Sequence, residues 1–214
     1  MKYSFFILTA LAFLISAIPI IHYPFGWFET FFHELSHGMA ALVTGGSVHR
    51  IELNIDGSGL CTTSGGMEFL ILLAGYTGSA LWGSLIYLSV SLGKARYSKQ
   101  ISAILTLVVL LVALLWARDL ITIAILFIMT AIFAMAYRYG SRNLTRLFIE
   151  FIALYVVLNA IRSPLYLLDG RDIGDGAALS QMTHIPEIFW VVAWCLIACG
   201  CLYFLFKKTI IFRK

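Results

Sequence analysis

The sequence predicts an all-α polytopic membrane protein of about seven transmembrane helices, with a short β-hairpin-like insertion after the second helix. Three observations lead there. Of 214 residues, 61% are hydrophobic and 12% charged, whereas soluble domains run nearer half apolar and a quarter charged. Apolar runs long enough to cross a bilayer recur from end to end. One connection between them alternates apolar and polar residues with a period of two.

The first run, "YSFFILTALAFLISAIPII", follows Lys2 and has a thin basic start. No small-x-small cleavage site precedes "HYPFGW", so it reads as a retained helix over 4–21 rather than a signal peptide. The second helix is expected over 27–44 and the third over 66–92. Gly75, Ser79 and Gly83 recur every four residues in the third, a small-xxx-small spacing that reads as helix packing. "ARD" at 117–119 divides the next stretch into helices over 101–117 and 119–137, or bends one long element. The last two are expected over 144–163 and 186–206. No soluble domain fits between these runs, so 1–214 is expected to form a single membrane-embedded domain. Its motif core is 27–92, and a second polar segment lies at 163–190.

Basic residues orient this arrangement. Lys94, Arg96 and Lys99 follow the third helix, and Arg138, Arg142 and Arg146 follow the fifth. Lys207, Lys208, Arg213 and Lys214 follow the seventh. With seven spans these share one face, which the positive-inside rule makes cytoplasmic, and the N-terminus is then external. Basic residues spread over loops in this way give no reason to expect a nucleic-acid partner, despite the net charge of +4. Of four cysteines, Cys195, Cys199 and Cys201 lie in the last apolar run, where cysteine acts as a small hydrophobe.

Two non-helical connections fall on the opposite face. In 44–66, Ile51, Leu53 and Ile55 alternate with Arg50, Glu52 and Asn54, and Asp56-Gly57 marks a turn before "SGLCTT" returns. The connection 163–187 holds Asp169, Asp172 and Asp175, three of the five aspartates in the chain.

Within the second helix, "FFHELSHGMAALV" places His33, Glu34 and His37 in an otherwise apolar stretch. Histidines at i and i+4 project from one helical face, where they can hold one zinc ion (Zn2+). A glutamate between them can take a proton from water that the metal activates. Ionisable groups in a bilayer cost roughly 2.5–3.5 kcal/mol each on insertion scales, so three of them need a task or a partner. Two histidines leave tetrahedral zinc one protein ligand short. His22, His49 and His184 read as interfacial residues.

"HELSHGMAALVTGGSVHRIELNIDGSGLCTTSGG" followed by "AGYTGSALWGSL" resembles the site-2 protease family of intramembrane zinc metallopeptidases, nearest its bacterial peptidase M50B-like branch. The resemblance is dense over 33–84 and returns around 159–190. It implies a zinc-dependent endopeptidase that cuts transmembrane segments, with His33 and His37 as ligands and Glu34 as general base. It also implies a third ligand from a later aspartate, and two positions compete. Asp169 in "SPLYLLDG" resembles the family's Leu-Asp-Gly pattern after a proline, although Asn159 stands two residues too early. Asp175 in "GDGAALSQMTHIPEIFW" resembles the branch's Ser-Asp-Ala segment, with Gly174 and Gly176 replacing the flanking residues. Asp172 is the remaining candidate. The strand pattern adds candidate substrate-binding positions at Ile51, Leu53 and Asn54, where an unwound substrate would join as an added strand. The expected partners are a transmembrane protein or peptide substrate and membrane lipid. The expected setting is the inner (cytoplasmic) membrane of a bacterium. The competing class is a non-proteolytic transporter or scaffold retaining a metal site.

Overall fold

The computed structural model describes residues 4–91, 95 and 97–212. Helix α1 (Ser4–Ser16) and helix α2 (Pro19–Val43) meet at a sharp bend. The break falls at Pro19, where a proline fits the first helical position and pushes the preceding Ile18 into extended geometry (φ −107°, ψ 103°). It was expected around "HYPFG", but α2 runs through Pro24, whose missing donor falls little more than one turn from the helix start.

After α2 the chain reverses through Gly45, with Gly46 N–H donating to Ala41 O (2.8 Å). Strands β1 (Ser47–Leu53) and β2 (Gly59–Ser64) then pair antiparallel, with Ile51 opposite Cys61 and Leu53 opposite Gly59. The register slips between Val48 and Arg50, leaving His49 as the extra residue of a bulge. Ile51 and Leu53 are buried, while Arg50 and Glu52 pair on the other face (3.5 Å). A Cβ at Gly46 would lie 2.7 Å from Gly65 O, so the neck of the hairpin closes only on glycine. The outer edge of β1 is fastened by Thr122, whose hydroxyl accepts from Leu53 N–H (2.8 Å) and donates to Leu53 O (3.3 Å).

Helices α3 (Glu68–Ser91), α4 (Tyr97–Trp116) and α5 (Leu120–Tyr139) follow. The "ARD" division makes two helices rather than one, because Asp119 caps α5 by accepting from Thr122 N–H (2.8 Å). Helix α6 (Arg142–Arg162) is the central element, with 149–160 buried except for the half-buried Leu158. The 163–187 connection, expected to be non-helical, holds a 3-10 helix (Ser163–Asp169) and a short helix α7 (Asp175–Thr183) before α8 (Glu187–Phe212). Nine residues give too brief an apolar period to stand out in the sequence.

Among the described residues five helices are long and apolar enough to cross a bilayer, and α1 with α2, bent by 109°, adds a sixth where the pair counts as one broken span. The chain is an integral membrane protein with five to six candidate spans, close to the seven expected. Phe5 packs on Tyr87 and Phe206, near the ends of α3 and α8, while Arg162 at the end of α6 donates to Ser16 O (3.0 Å). Helix α1 thus starts at the end carrying Lys99, Arg138, Arg142, Lys207 and Lys208, not opposite it. Those basic segments share one end, since Ser98 donates to Arg142 O (2.9 Å), Arg146 to Ser91 O (2.7 Å) and Tyr87 bonds Thr209 (3.0 Å). Lys2, Lys94, Arg96, Arg213 and Lys214 lie outside the described residues.

Replacing Thr122 with valine leaves the Leu53 amide and carbonyl unpaired, at about 1–3 kcal/mol per buried group. Protease nicking within 44–66 is expected to rise in Thr122→Val and to stay at the parental level in Thr122→Ser. Equal nicking in both would show that this bond does not fasten the sheet.

Candidate metal centre

Helix α2 carries its polar groups on a face turned inward by the burial of Phe28, Phe31, Phe32 and Leu35. His33 and His37 stand one turn apart, their rings edge to face with centroids 4.6 Å apart. His37 Nδ1 lies 2.6 Å from Ile71 O. A carbonyl oxygen only accepts, so Nδ1 carries the proton and the Nε2 lone pair points inward. That Nε2 is 2.9 Å from His33 Nε2, and Asp175 Oδ2 lies 3.1 Å from His33 Nε2 and 3.2 Å from His37 Nε2. Three donor atoms from segments 142 residues apart thus form a nearly equilateral triangle.

Helix α3 forms the wall behind it. A Cβ at Gly75 would lie 2.5 Å from His33 Nε2 and 2.6 Å from His37 Nε2, so only glycine leaves that space open. Tyr76 packs edge-on against His33 (centroids 4.4 Å) and is backed by Trp194 of α8 (4.8 Å). Reading Gly75 as helix packing alone was incomplete. Gly83, two turns on, does serve packing, lying against Ala153 and Val157 of α6.

Glu34 is 5% exposed and borders two cavities. One, of about 490 Å³, is shared with His37, Asp175 and β2 residues Gly59, Leu60, Cys61 and Thr63. The other, of about 350 Å³, is lined by His33, Glu29, His22, Asn159 and Tyr166, among others. Burial pushes the Cys61 thiol up to about 12, so it is a neutral wall group.

The remaining sequence candidates lie elsewhere. Asp169 accepts from Arg171 N–H (2.9 Å) and pairs with its guanidinium (2.5 Å). Asp172 sits exposed with φ at 50°. Neither joins the triangle. Ile51 and Leu53 are buried beneath the sheet, and Asn54 bonds Ser58 in the hairpin turn (3.0 Å). The strand bordering the cavity beside Glu34 is β2, because the far edge of β1 is occupied by Thr122. His49 bonds Ser64, His184 ends α7, and His22 bonds the Tyr155 hydroxyl (2.7 Å). Glu29, 7% exposed and four residues before His33, was not singled out in the sequence, although its spacing puts it on the histidine face.

The donor set suits zinc. Tetrahedral bonds of about 2.0–2.1 Å put neighbouring ligand atoms about 3.3–3.4 Å apart, and the three edges here fall short by only a few tenths of an ångström. Among the described residues, His33, His37 and Asp175 are the group able to hold an ion. The model of the family described as Peptidase M50B-like matches residues 6–205. The chain belongs to that family. Membership makes it a peptidase, a hydrolase acting on protein, and its apolar helices place it in a membrane. No curated protein and no solved structure matches the chain.

Proposed function

We propose that this M50B-like peptidase is a zinc-dependent endopeptidase that cuts transmembrane segments of other membrane proteins within the bilayer. The observation that carries the reading is the triangle of His33, His37 and Asp175 with Glu34 on the wall beside it. In this reading those three residues hold zinc, and the whole of 1–214 serves as one catalytic domain. Zinc bound there would polarise the scissile carbonyl and bring the pKa of a water towards neutrality. Glu34 takes the proton from that water and delivers it to the leaving amine.

Gly75 lies seven residues inside the start of α3, so the triangle sits roughly 10 Å below that helix end at a 1.5 Å rise per residue. Helical substrates shield their amides at that depth. The β2 edge supports a route around this: an unwound segment enters the 490 Å³ cavity and lies along β2, its backbone bonded as an added strand. Leu60, 52% exposed beside that cavity, supplies an apolar contact for substrate side chains. Irregular backbone is tolerated at this depth because α3, α7 and the sheet wall it off from lipid. The basic end of the bundle faces the cytoplasm by the positive-inside rule, in the inner membrane of a bacterium.

Cleavage of a transmembrane peptide by purified protein is expected to fall about 10²–10⁴-fold in Glu34→Gln, with zinc content unchanged. Full cleavage by that variant would sink the assignment of the base. Asp175→Ala and Gly75→Ala are expected to lose stoichiometric zinc, the first by removing a ligand and the second by filling the ion's space. Asp169→Ala is expected to keep it, and the reverse pattern in metal analysis would move the third ligand to Asp169. Leu60→Asp is expected to lower kcat/KM roughly tenfold with zinc retained, the scale of one lost apolar contact.

A further inference from the structure

The two histidines are anchored differently. His37 has its second nitrogen fixed by Ile71 O. His33 turns Nε2 towards Asp175 and His37, which leaves Nδ1 on the other edge of the ring, and among the described residues no hydrogen bond reaches it. Side chains on a helix lean towards its N-terminus, so His33 lies over the residue four positions earlier. That residue is Glu29, a carboxylate 7% exposed in an apolar bundle. Glu29 and His33 border the same 350 Å³ cavity. Ser163 at the end of α6 brings its hydroxyl to 3.4 Å from Glu29 Oε1 and shares its proton with Asn159 O (2.9 Å).

We infer that Glu29 is the positioning residue for His33: its carboxylate accepts the Nδ1 proton of that imidazole, directly or through one water in the cavity. Holding the proton on Nδ1 leaves Nε2 unprotonated and aimed into the triangle, and the negative charge raises the basicity of the ring. The arrangement gives each histidine its own acceptor, a backbone carbonyl for His37 and a carboxylate for His33. It also gives a buried carboxylate a task that solvating the bundle would not, since an idle one is costly at that depth. Through Ser163, the same carboxylate ties the orientation of His33 to the junction from which the chain continues to Asp175. The inference rests on the metal centre proposed above, and its test separates the two.

Zinc affinity is measured by chelator competition on the full-length protein in detergent, with cobalt(II) absorption as a second readout. Glu29→Ala and the isosteric Glu29→Gln are expected to bind zinc about 10–100-fold more weakly than the parent. Their cobalt(II) bands should shift, while their thermal midpoints match the parent. Glu29→Asp is expected to recover part of the affinity, because charge and acceptor are kept at shorter reach. Asp172→Asn, an exposed acid on the same side of the bundle, is the control and is expected to bind as the parent does. Parental affinity and an unshifted cobalt(II) spectrum in Glu29→Gln and Glu29→Ala would overturn the role of Glu29 while leaving the metal centre standing. A parent that binds no zinc would overturn the metal centre, and this inference with it.

Discussion

Four ionisable groups on one apolar helix set the terms for the rest of the molecule. Glu29, His33, Glu34 and His37 all lie on α2, within a bundle that offers them no water from lipid. Their cost is met only if they face one another and an outside partner, and the nearest outside partner is Asp175, contributed from 142 residues along the chain. That requirement explains features that look unrelated in sequence. Helix α3 needs a glycine where it crosses the imidazoles, because any Cβ at position 75 would occupy the space they share. Helix α6 must be long and buried, because its far end returns the chain to the same level and delivers both Ser163 and the segment leading to Asp175.

The hairpin answers a second requirement, that backbone groups at membrane depth find partners within the protein. Strand β1 pairs with β2 along one edge, and at its end Thr122 takes both the amide and the carbonyl of Leu53 on the other. Among the described residues β2 has β1 as its one strand partner, and residues of β2 border the cavity that holds Glu34, His37 and Asp175. The sheet is therefore asymmetric in a way its two sequences do not show. The better-patterned strand is the structural one, and the plainer "GLCTTS" borders the site. A strand that alternates cleanly does so because one of its faces is buried, and burial of Ile51 and Leu53 is what withdraws β1 from the cavity.

Much of this was legible in the sequence because it rests on local rules. The apolar runs, the period-two alternation around Ile51 and Leu53, and the one-turn spacing of His33 and His37 each depend on neighbours a few residues away. The bend between α1 and α2 was misplaced because Pro19 and Pro24 both punctuate the same stretch. Only the tertiary packing decides which of them a helix absorbs. Helix α7 was hidden because nine residues cannot display a helical period. Gly75 was read as helix packing alone, and Glu29 was in view but unassigned. Their roles depend on which helix crosses which and at what height, and spacing within one segment carries no such information.

The choice between Asp169 and Asp175 shows where pattern and geometry part. Both aspartates sit in motif-like surroundings six residues apart, and both precede a glycine. The chain after α6 first tightens into a 3-10 helix that ends at Gly170 in the left-handed region (φ 81°), and this turns Asp169 outward to its own neighbour, Arg171. An exposed pair of that kind forms from two adjacent residues wherever the loop happens to lie, so it places no demand on the fold. Asp175 instead opens α7, where Leu179 and Ala177 are buried and α8 follows closely, so the backbone at that position is fixed from both sides. A carboxylate meant to meet two imidazoles at about 3 Å needs a rigid support, because a shift of one ångström would break the triangle. The first residue of a packed helix provides that support, and the tip of an exposed turn does not.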